Sequence, residues 1–203
     1  MIYRILLLIF LFSFPSLHAK LFTIFPYGCY LLSFDKTLNS KVSEISDGKT
    51  FNKMHFAAGG KIFFDIRLCE IGLGGEYCFS RKIETYINLP NGNSVVTGWV
   101  SINDILAFVS IQKIFLKKKL FHFGPICDIG LDISNINQKS GSLITRKYLY
   151  NFSCFVGASF EFGKIINDKA GLGGKIDVGY DIPIDEFRIK AGMYTSVGGK
   201  SRK

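Results

Sequence analysis

The chain has 203 residues, enough for one domain, and 48% of them are hydrophobic, including 20 Phe. Its formal net charge is +9, but the cations are spread along the chain without an aromatic and basic motif, which argues against nucleic-acid binding. After the first 20 positions no apolar run reaches the ~18 residues of a membrane-spanning helix, which excludes a helical inner-membrane protein.

The first predicted element is a secretory signal peptide at residues 1–19. One early cation, Arg4, precedes an apolar run that ends in small residues. Residues 20–203 then form the domain, with a net charge of +8 once Arg4 is removed from the total of +9. A membrane anchor and lipidation at Cys29 are the alternatives, although the apolar run is shorter than the ~20 residues of a spanning helix.

Apolar residues alternate with glycines and charges in the stretch FAAGGKIFFDIRL, from Phe56 to Leu68. At the two-residue period of a β-strand, one face is wholly apolar and the other carries the charges. The pattern resumes after a predicted turn at Cys69 and Glu70. It returns in LFHFGPICDIGLDI, YNFSCFVGASFEF, GLGGKIDVGYDI and FRIKAGMYTSVG. Strands of ~9–11 residues with one apolar face are typical of a barrel that has lipid outside and a polar interior.

The connections between these strands support the same fold class. Long polar loops are predicted to alternate with short turns, as in outer-membrane barrels. The predicted loops are 35–53, 81–94 and 134–147, and the predicted turns are 69–70, 117–119, 163–170 and 183–186. The count gives an all-β fold, an eight-stranded antiparallel transmembrane β-barrel with both termini on the periplasmic side.

The fourth strand is ambiguous in the sequence. The segment SINDILAFVSIQKIF also places Ile102, Ile105, Leu106 and Val109 at helical spacing. A strand fits the barrel, and a helix over residues 102–115 is the alternative.

Charged residues on the polar strand faces are predicted to point into the barrel. Acids and bases of neighbouring strands can pair there, and the glycines leave room for them. The predicted lumen charges are Lys61, Asp65, Arg67, Glu76, Asp128, Asp132, Glu161, Lys175, Asp177, Asp181, Arg188 and Lys190.

No cofactor or metal site is predicted. The five cysteines are scattered without a CxxC pair, which argues against a zinc site and a disulfide framework. Alternation places Cys127 and Cys154 outward and Cys78 inward, so that most are small apolar fillers, with one disulfide as the alternative. The two GLGG stretches lack the Lys-Ser/Thr of a phosphate-binding loop.

Enzyme motifs are also absent, so the chain is predicted not to be an enzyme. His55 and His122 lie on different strands and outside any HExxH or GxSxG context. A hydrolase or acyltransferase site at the barrel rim, using His55 beside the first long loop, is a remote alternative.

The predicted loops carry many basic residues, which favour contact with anionic lipid head groups or acidic partners. A solvated loop surface is the alternative for each of them. The candidate ligand-binding residues are Lys36, Lys41, Lys49, Lys53, Arg81, Lys82, Lys139, Arg146 and Lys147.

With its eight strands and alternating loops, the chain resembles the small outer-membrane barrels of the OmpA and OmpX type. Its signal, its size, its loop plan and its heavy use of Phe, Ile, Lys and Asn are similar to a family of small outer-membrane barrel proteins in Borrelia. The resemblance implies surface exposure, porin behaviour, or binding of host proteins such as complement regulators or laminin. One departure is the C-terminal GGKSRK, where Gram-negative barrels end in an aromatic residue.

Two functions follow as hypotheses. In the first, the barrel lies in outer-membrane lipid and its loops bind an extracellular host protein or another macromolecule, because loops on a rigid frame often carry function. In the second, the barrel is a narrow channel, although eight strands enclose a space that side chains fill. A soluble lipocalin-like barrel is disfavoured, because it would need the apolar faces turned inward.

Overall fold

The structure, a computed structural model, describes residues 20–34, 51, 53–66, 69–88, 94–114, 116–118, 121–167 and 170–198. These residues form nine strands. The strands are β1 Lys20–Ser33, β2 Met54–Asp65, β3 Glu70–Asn88, β4 Ser94–Gln112, β5 Leu116–Lys118, β6 Phe121–Ser140, β7 Leu143–Asn167, β8 Ala170–Asp181 and β9 Glu186–Gly198. No helix among the described residues has the length and apolar character needed to cross a bilayer. The predicted signal peptide lies outside the described residues.

Eight strands form a closed antiparallel ring, which confirms the predicted fold class. Each pairs with its neighbours in the order β4, β3, β2, β1, β9, β8, β7, β6, and a continuous β4–β6 ladder closes the ring. The ladder runs from the pair Gly98–Ser140 to the pair Gln112–Ile126. The three-residue strand β5 pairs only with the first residues of β6.

The ring has two ends. The connections β1–β2, β3–β4, β6–β7 and β8–β9 lie at one end, which we call the loop end. The remaining connections, the first residue of β1 and the last residue of β9 lie at the other end, which we call the terminal end. The order of these connections along the chain is the predicted one.

Two predicted long loops, 81–94 and 134–147, are wrong in extent. β3 continues to Asn88 and β4 begins at Ser94, while β6 and β7 are separated only by residues 141–142. Gly141 has a φ of 58°, the left-handed conformation that glycine adopts without strain. The sequence predicted loops here because these segments are rich in polar residues. In the structure they are paired strands that continue above the ring.

We call this continuation the extension. It comprises residues 81–88 of β3, 94–103 of β4, 135–140 of β6 and 143–149 of β7. The β2–β3 pairing ends at Ala57–Cys78, and the β7–β8 pairing ends at Phe155–Asp181. The extension is therefore a four-stranded sheet that rises from one side of the ring.

The ambiguous segment 102–115 is strand up to Gln112. β4 pairs without interruption with β6 and over most of its length with β3, where a bulge follows Cys78. The helical alternative is wrong, because the residues at helical spacing lie on both faces of one strand. Ile105 and Val109 are exposed on the outside, whereas Ile102 and Leu106 are buried inside.

The outside of the ring is apolar all the way round. Every ring strand presents large exposed hydrophobic side chains on this surface, which we call the apolar belt. Examples are Ile24, Phe64, Leu73, Val109, Ile129, Val156, Leu172 and Met193. Alternate residues point inward, so the charges of the same strands face the lumen.

Inward-facing glycines make room for large rings inside the barrel. A Cβ added to Gly72 would lie 2.7 Å from Cδ1 of Phe63, and one added to Gly59 would lie 2.8 Å from Cζ of Tyr27. Any larger residue at these positions would displace an aromatic ring from the lumen.

All five cysteines are free. Cys29 and Cys78 are buried inside, while Cys127 and Cys154 are partly exposed on the outer face of neighbouring strands. Cys69 lies in the turn between β2 and β3, where partial burial raises the pKa of its thiol above the ordinary value. The described residues thus contain no disulfide.

Candidate functional site

The centre of the lumen holds a network of buried ion pairs. Lys61 Nζ lies 2.8 Å from Asp128 Oδ2 and 2.9 Å from Asp177 Oδ2. Lys190 Nζ lies 2.9 Å from the same Asp128 oxygen and 3.4 Å from Glu76 Oε2. These side chains come from β2, β3, β6, β8 and β9, so the network ties together strands from all around the ring.

The network continues towards the terminal end. Lys175 Nζ lies 3.2 Å from Glu161 Oε1 and 3.8 Å from Asp177 Oδ1. The Gln112 amide donates to Glu161 at 3.3 Å, and His122 Nδ1 lies 3.5 Å from the same carboxylate. Glu161 is thus surrounded by three side chains that can donate hydrogen bonds to it.

Towards the loop end, Arg188 holds three carboxylates. Its Nη1 lies 3.2 Å from Glu76 Oε1, and its Nη2 lies 2.9 Å from Glu186 Oε2 and 3.4 Å from Asp181 Oδ2. The fork of guanidinium donors suits this arrangement, because it can bond several carboxylates at once.

Aromatic rings occupy the space between the buried amines. Lys190 Nζ lies 4.7 Å from the ring centroids of Phe108 and Phe155, and Lys175 Nζ lies 4.5 Å from that of Phe63. Ring faces attract cations, which offsets part of the cost of burying them. Ion pairs and rings together fill the middle of the barrel, so the described lumen leaves no space for a wide channel.

A cavity of about 190 Å³ lies above the network, at the loop end. At its side, His55 Nε2 lies 3.2 Å from Glu186 Oε1. The cavity is lined by Ser33, His55, Cys78, Arg81, Asp104, Asp132, Ser134, Leu149, Asn151, Pro183, Ile184, Glu186 and Arg188. We call it the vestibule.

The vestibule does not contain the contacts of a nucleophile and its base. Nδ1 of His55 has no hydrogen-bond partner, so no serine of the described chain reaches it. The described residues also contain no group of three or more His, Cys, Asp or Glu side chains that could hold a metal ion.

Side-chain polarity reverses between the ring and the extension. On β4, Ile105 and Val109 face outward below the boundary, whereas Ser101 and Asn103 face outward above it. On β6, outward Ile133 is followed by Asn135, Asn137 and Lys139. The boundary is level on the two strands, because Ile105 pairs with Ile133 and Asn103 pairs with Asn135.

The inner face of the extension is apolar instead. Val100, Ile102 and Ile136 are buried there and pack with Phe51, which approaches from the connection between β1 and β2. Ile83 and Leu149 pack against the same cluster. The extension thus has a small hydrophobic core of its own, on the side that faces the lumen in the ring below.

The outer face of β7 differs from that of the other three strands in the extension. Tyr148 is 53% exposed although its partner Asn135 is polar, and Tyr150 at the boundary is 66% exposed. Ile144 and Arg146 continue this exposed face upward. An aromatic strip therefore extends from the apolar belt along β7.

The structure places most of the predicted lumen charges inside the ring. Asp65 is half-buried at the terminal end of β2, and Arg67 lies outside the described residues. Those buried in the lumen are Lys61, Glu76, Asp128, Asp132, Glu161, Lys175, Asp177, Asp181, Arg188 and Lys190.

The predicted ligand-binding cations are distributed differently. Arg81 is not in an exposed loop, because it lies on β3 with Nη2 3.1 Å from Asp104 Oδ2, and its side chain is only 12% exposed. Lys36, Lys41 and Lys49 lie outside the described residues. The exposed or half-exposed members are Lys53, Lys82, Lys139, Arg146 and Lys147, all at the loop end.

Two vestibule residues were missed by the sequence analysis. Asp104 lies in the segment whose period was ambiguous, and Glu186 was assigned to a turn. Alternation offered a signal for Glu186, because it precedes the inward Arg188 by two residues on β9. No comparable signal pointed to Asp104, whose inward direction depends on the strand assignment of β4.

No protein-family model and no curated protein matches the chain. Among solved structures the chain is similar to Ail, the attachment invasion locus protein of Yersinia pestis, in complex with the heparin analogue sucrose octasulfate. The two are 10% identical, the match covers 90% of this chain and 99% of that chain, and the TM-score is 0.47. It is also similar to Neisserial surface protein A, at 10% identity and a TM-score of 0.44, and to the N-terminal β-barrel domain of Pseudomonas aeruginosa OprF, at 13% identity and a TM-score of 0.34. Both matches cover 89% of this chain and 99% of the other chain. Identities and scores of this size carry no inference about function.

Proposed function

We propose that the chain is an integral outer-membrane barrel that presents its extension and loops to an acidic macromolecule outside the cell, such as a host surface protein. The observation that carries the proposal is the reversal of side-chain polarity between ring and extension. Membership of the Borrelia family of small barrels is part of the same proposal, supported by the sequence resemblance.

Lipid around the ring and water around the extension explain the reversal. A closed ring leaves no unpaired backbone group at a sheet edge, as a structure within hydrocarbon requires. In water, the apolar belt would be a very large exposed hydrophobic surface, far beyond the few hundred Å² that soluble monomers tolerate. The polar outer face of the extension needs water, and its buried cluster is that of an ordinary soluble sheet.

Basic side chains support an acidic partner. Lys82 lies 3.8 Å from Glu84 and is partly compensated. Lys139, Arg146 and Lys147 lie on the paired ends of β6 and β7, where the described extension has no acidic residue. Exposed charges of one sign raise the local concentration and the association rate of an oppositely charged partner.

Orientation is tested by inserting an epitope tag between Gly141 and Ser142, at the tip of the extension, or in the turn between β7 and β8 at the terminal end. In intact cells an antibody should bind the first tag but not the second. Both tags should bind after the outer membrane is permeabilised. Binding to the second tag alone in intact cells would refute the proposed orientation.

Partner binding is tested on purified barrel in lipid nanodiscs, with poly-glutamate and dextran sulfate as acidic probes. The triple variant Lys139→Gln, Arg146→Gln, Lys147→Gln should lose most of the binding, which should also weaken as salt is added. The matched control is Lys117→Gln with Lys118→Gln, at the terminal end. Equal losses in both variants would show that net charge alone, and not the extension, attracts the probe.

A further inference from the structure

The vestibule is large for a cavity that holds only water. Its volume of about 190 Å³ is more than ten times the 10–15 Å³ that one ordered water needs. Leu149, Pro183 and Ile184 give part of its wall an apolar character. The space therefore suits a small organic group that has both a polar and an apolar part.

Polar atoms without partners are concentrated around this cavity. Seven buried side-chain nitrogen or oxygen atoms of the described chain lack a hydrogen bond, and four of them belong to vestibule residues. These four are His55 Nδ1, Arg81 Nε, Asp104 Oδ1 and Arg188 Nε. Two of the four, Asp104 Oδ1 and His55 Nδ1, can accept a hydrogen bond, and buried polar atoms are normally satisfied, so these two indicate a donor that the site is built to bind.

His55 is directed by its neighbour. Its side chain is only 5% exposed, and its Nε2 lies 3.2 Å from Glu186 Oε1. In the tautomer that donates Nε2–H to this carboxylate, Nδ1 carries a lone pair and can accept a hydrogen bond. His55 therefore offers the vestibule a lone pair.

The described lumen also contains more buried acidic than basic side chains. Within the described lumen, eight buried carboxylates face six cations if the 12% exposed Arg81 is included. The acids are Glu76, Asp104, Asp128, Asp132, Glu161, Asp177, Asp181 and Glu186, and the cations are Lys61, Arg81, Lys113, Lys175, Arg188 and Lys190. Asp132, which lines the vestibule, makes no ion pair with any described residue.

We propose that the vestibule binds an alkylammonium group, either of a small free amine or of a lysine side chain on a bound protein. An ammonium has three N–H donors and no acceptor. The vestibule offers two acceptors that lack a donor, Asp104 Oδ1 and His55 Nδ1, and a third group, the Asp132 carboxylate, that makes no ion pair with a described residue. The alkyl part contacts Leu149, Pro183 and Ile184, while Arg81 and Arg188 remain bound to their own carboxylates.

The two histidines that follow the predicted signal peptide make the test direct. In the full barrel in nanodiscs, the ¹⁵N signals of His55 and His122 are recorded while n-butylammonium or its neutral counterpart n-butanol is added. The proposal expects a saturable shift of the His55 Nδ1 signal with n-butylammonium only. His122, near the terminal end, should not respond. The variant His55→Gln assigns the signals.

Variants separate the site from general charge effects. Asp132→Asn should lower the affinity for n-butylammonium about tenfold, equal to about 1.4 kcal/mol, while Glu84→Gln on the outer face should leave it unchanged. If Asp132→Asn does not fold, Ser134→Leu, two residues further along the inner face of β6, fills the cavity and should abolish binding. No saturable His55 shift, an equal response to n-butanol, or unchanged affinity in the folded variants would overturn the proposal.

The two sources of the ammonium are distinguished by a blocked Ala-Lys-Ala peptide. A protein ligand is the source if the peptide saturates His55 at lower concentration than n-butylammonium does. A free amine is the source if the peptide leaves the signal unchanged while n-butylammonium shifts it. Because this readout uses neither the acidic probes nor the orientation of the barrel, it can fail while the proposed function stands.

Discussion

The ring and the extension are built from the same strands, yet their side chains are arranged in opposite ways. β4 passes from one to the other without a break, and its outward side chains change from the apolar Ile105 to the polar Asn103 at the boundary. The backbone is the same in both regions, so the surroundings decide which face is apolar. The proposed environment, with lipid outside the ring and water outside the extension, would account for both arrangements.

The two regions also differ in how their interiors are held together. The ring is filled by ion pairs that cross the lumen, whereas the extension is closed by the contact of a few apolar side chains. Many large hydrophobic side chains of the ring lie on its outer surface. The lumen can therefore be polar without loss of the hydrophobic contribution, provided that its charges are paired.

The largest effect should come from breaking the central network. Asp128→Ala removes the carboxylate that lies 2.8 Å from Lys61 Nζ and 2.9 Å from Lys190 Nζ. Both amines then lose a counter-ion inside the ring, which should lower the free energy of unfolding by about 3–5 kcal/mol. Urea titration of the barrel in lipid measures this change.

The matched control for Asp128→Ala is Glu84→Ala, which breaks an exposed ion pair on the extension. An exposed pair of this kind contributes about 0–1 kcal/mol. Similar small losses in both variants would mean that the lumen network does not stabilise the ring.

The distribution of apolar residues over the two faces of each strand explains which parts of the fold could be predicted from the sequence. Where the apolar face stays outward for a whole strand, as from Phe56 to Phe64, the two-residue period is visible and the strand was predicted. On β4, inward Ile102 and Leu106 alternate with outward Ile105 and Val109, so that apolar residues fall at the spacing of a helix. The ambiguity arose because β4 carries apolar residues on both faces, including the inward Leu106 within the ring.

The reversal of polarity at the boundary hid the extension. Many of its outward residues are polar, as Asn135, Asn137 and Lys139 show, and its inward apolar residues are interrupted by polar ones such as Gln138. Such a segment has the composition of a loop, and only the pairing of β6 with β7 shows that it is a strand. The vestibule was equally hidden, because its residues come from distant strands and from the turn that holds Pro183.

The second prediction compares an arginine introduced in the ring, below the boundary, with one introduced in the extension, above it. Ile129 and Asn137 both face outward on β6, in the belt and in the extension. Ile129→Arg should cost about 2–4 kcal/mol, the range for a cation facing lipid near the bilayer midplane. Asn137→Arg should change the free energy of unfolding by less than about 0.5 kcal/mol, as for other surface substitutions. Equal costs in lipid would show that the boundary does not separate lipid from water.

A smaller and local effect is expected from Ile102→Val in the core of the extension. Removal of one buried methylene should cost about 0.5–1.5 kcal/mol. Because the cluster belongs to the extension alone, amide hydrogen exchange should become faster in residues 94–103 and 135–140 but not in the ring. Ile105→Val, three residues further on the lipid-facing side, is the control and should leave the extension amides unchanged. Faster exchange throughout the ring would mean that the two regions unfold together.

The smallest change concerns the strip on β7, where exposed tyrosines continue along the outer face of the extension. Tyr148 and Asn135 are paired at the same height and both face outward, but only the tyrosine continues the apolar belt. Tyrosine favours the layer between hydrocarbon and water. The β7 side of the extension should therefore lie against the lipid head groups, while the β6 side faces water.

The substitutions Tyr148→Trp and Asn135→Trp, made one at a time, compare the two sides directly. Trp99 is the single tryptophan of the chain, so Trp99→Phe removes the background in both variants. In vesicles of lipids brominated near the head group, the fluorescence of Tyr148→Trp should be quenched and that of Asn135→Trp should not. Stability should change by less than about 0.5 kcal/mol in either variant, since both sites lie on the outer face. If neither variant is quenched, the strip lies in water, and its aromatic residues would instead form part of the surface that meets the partner.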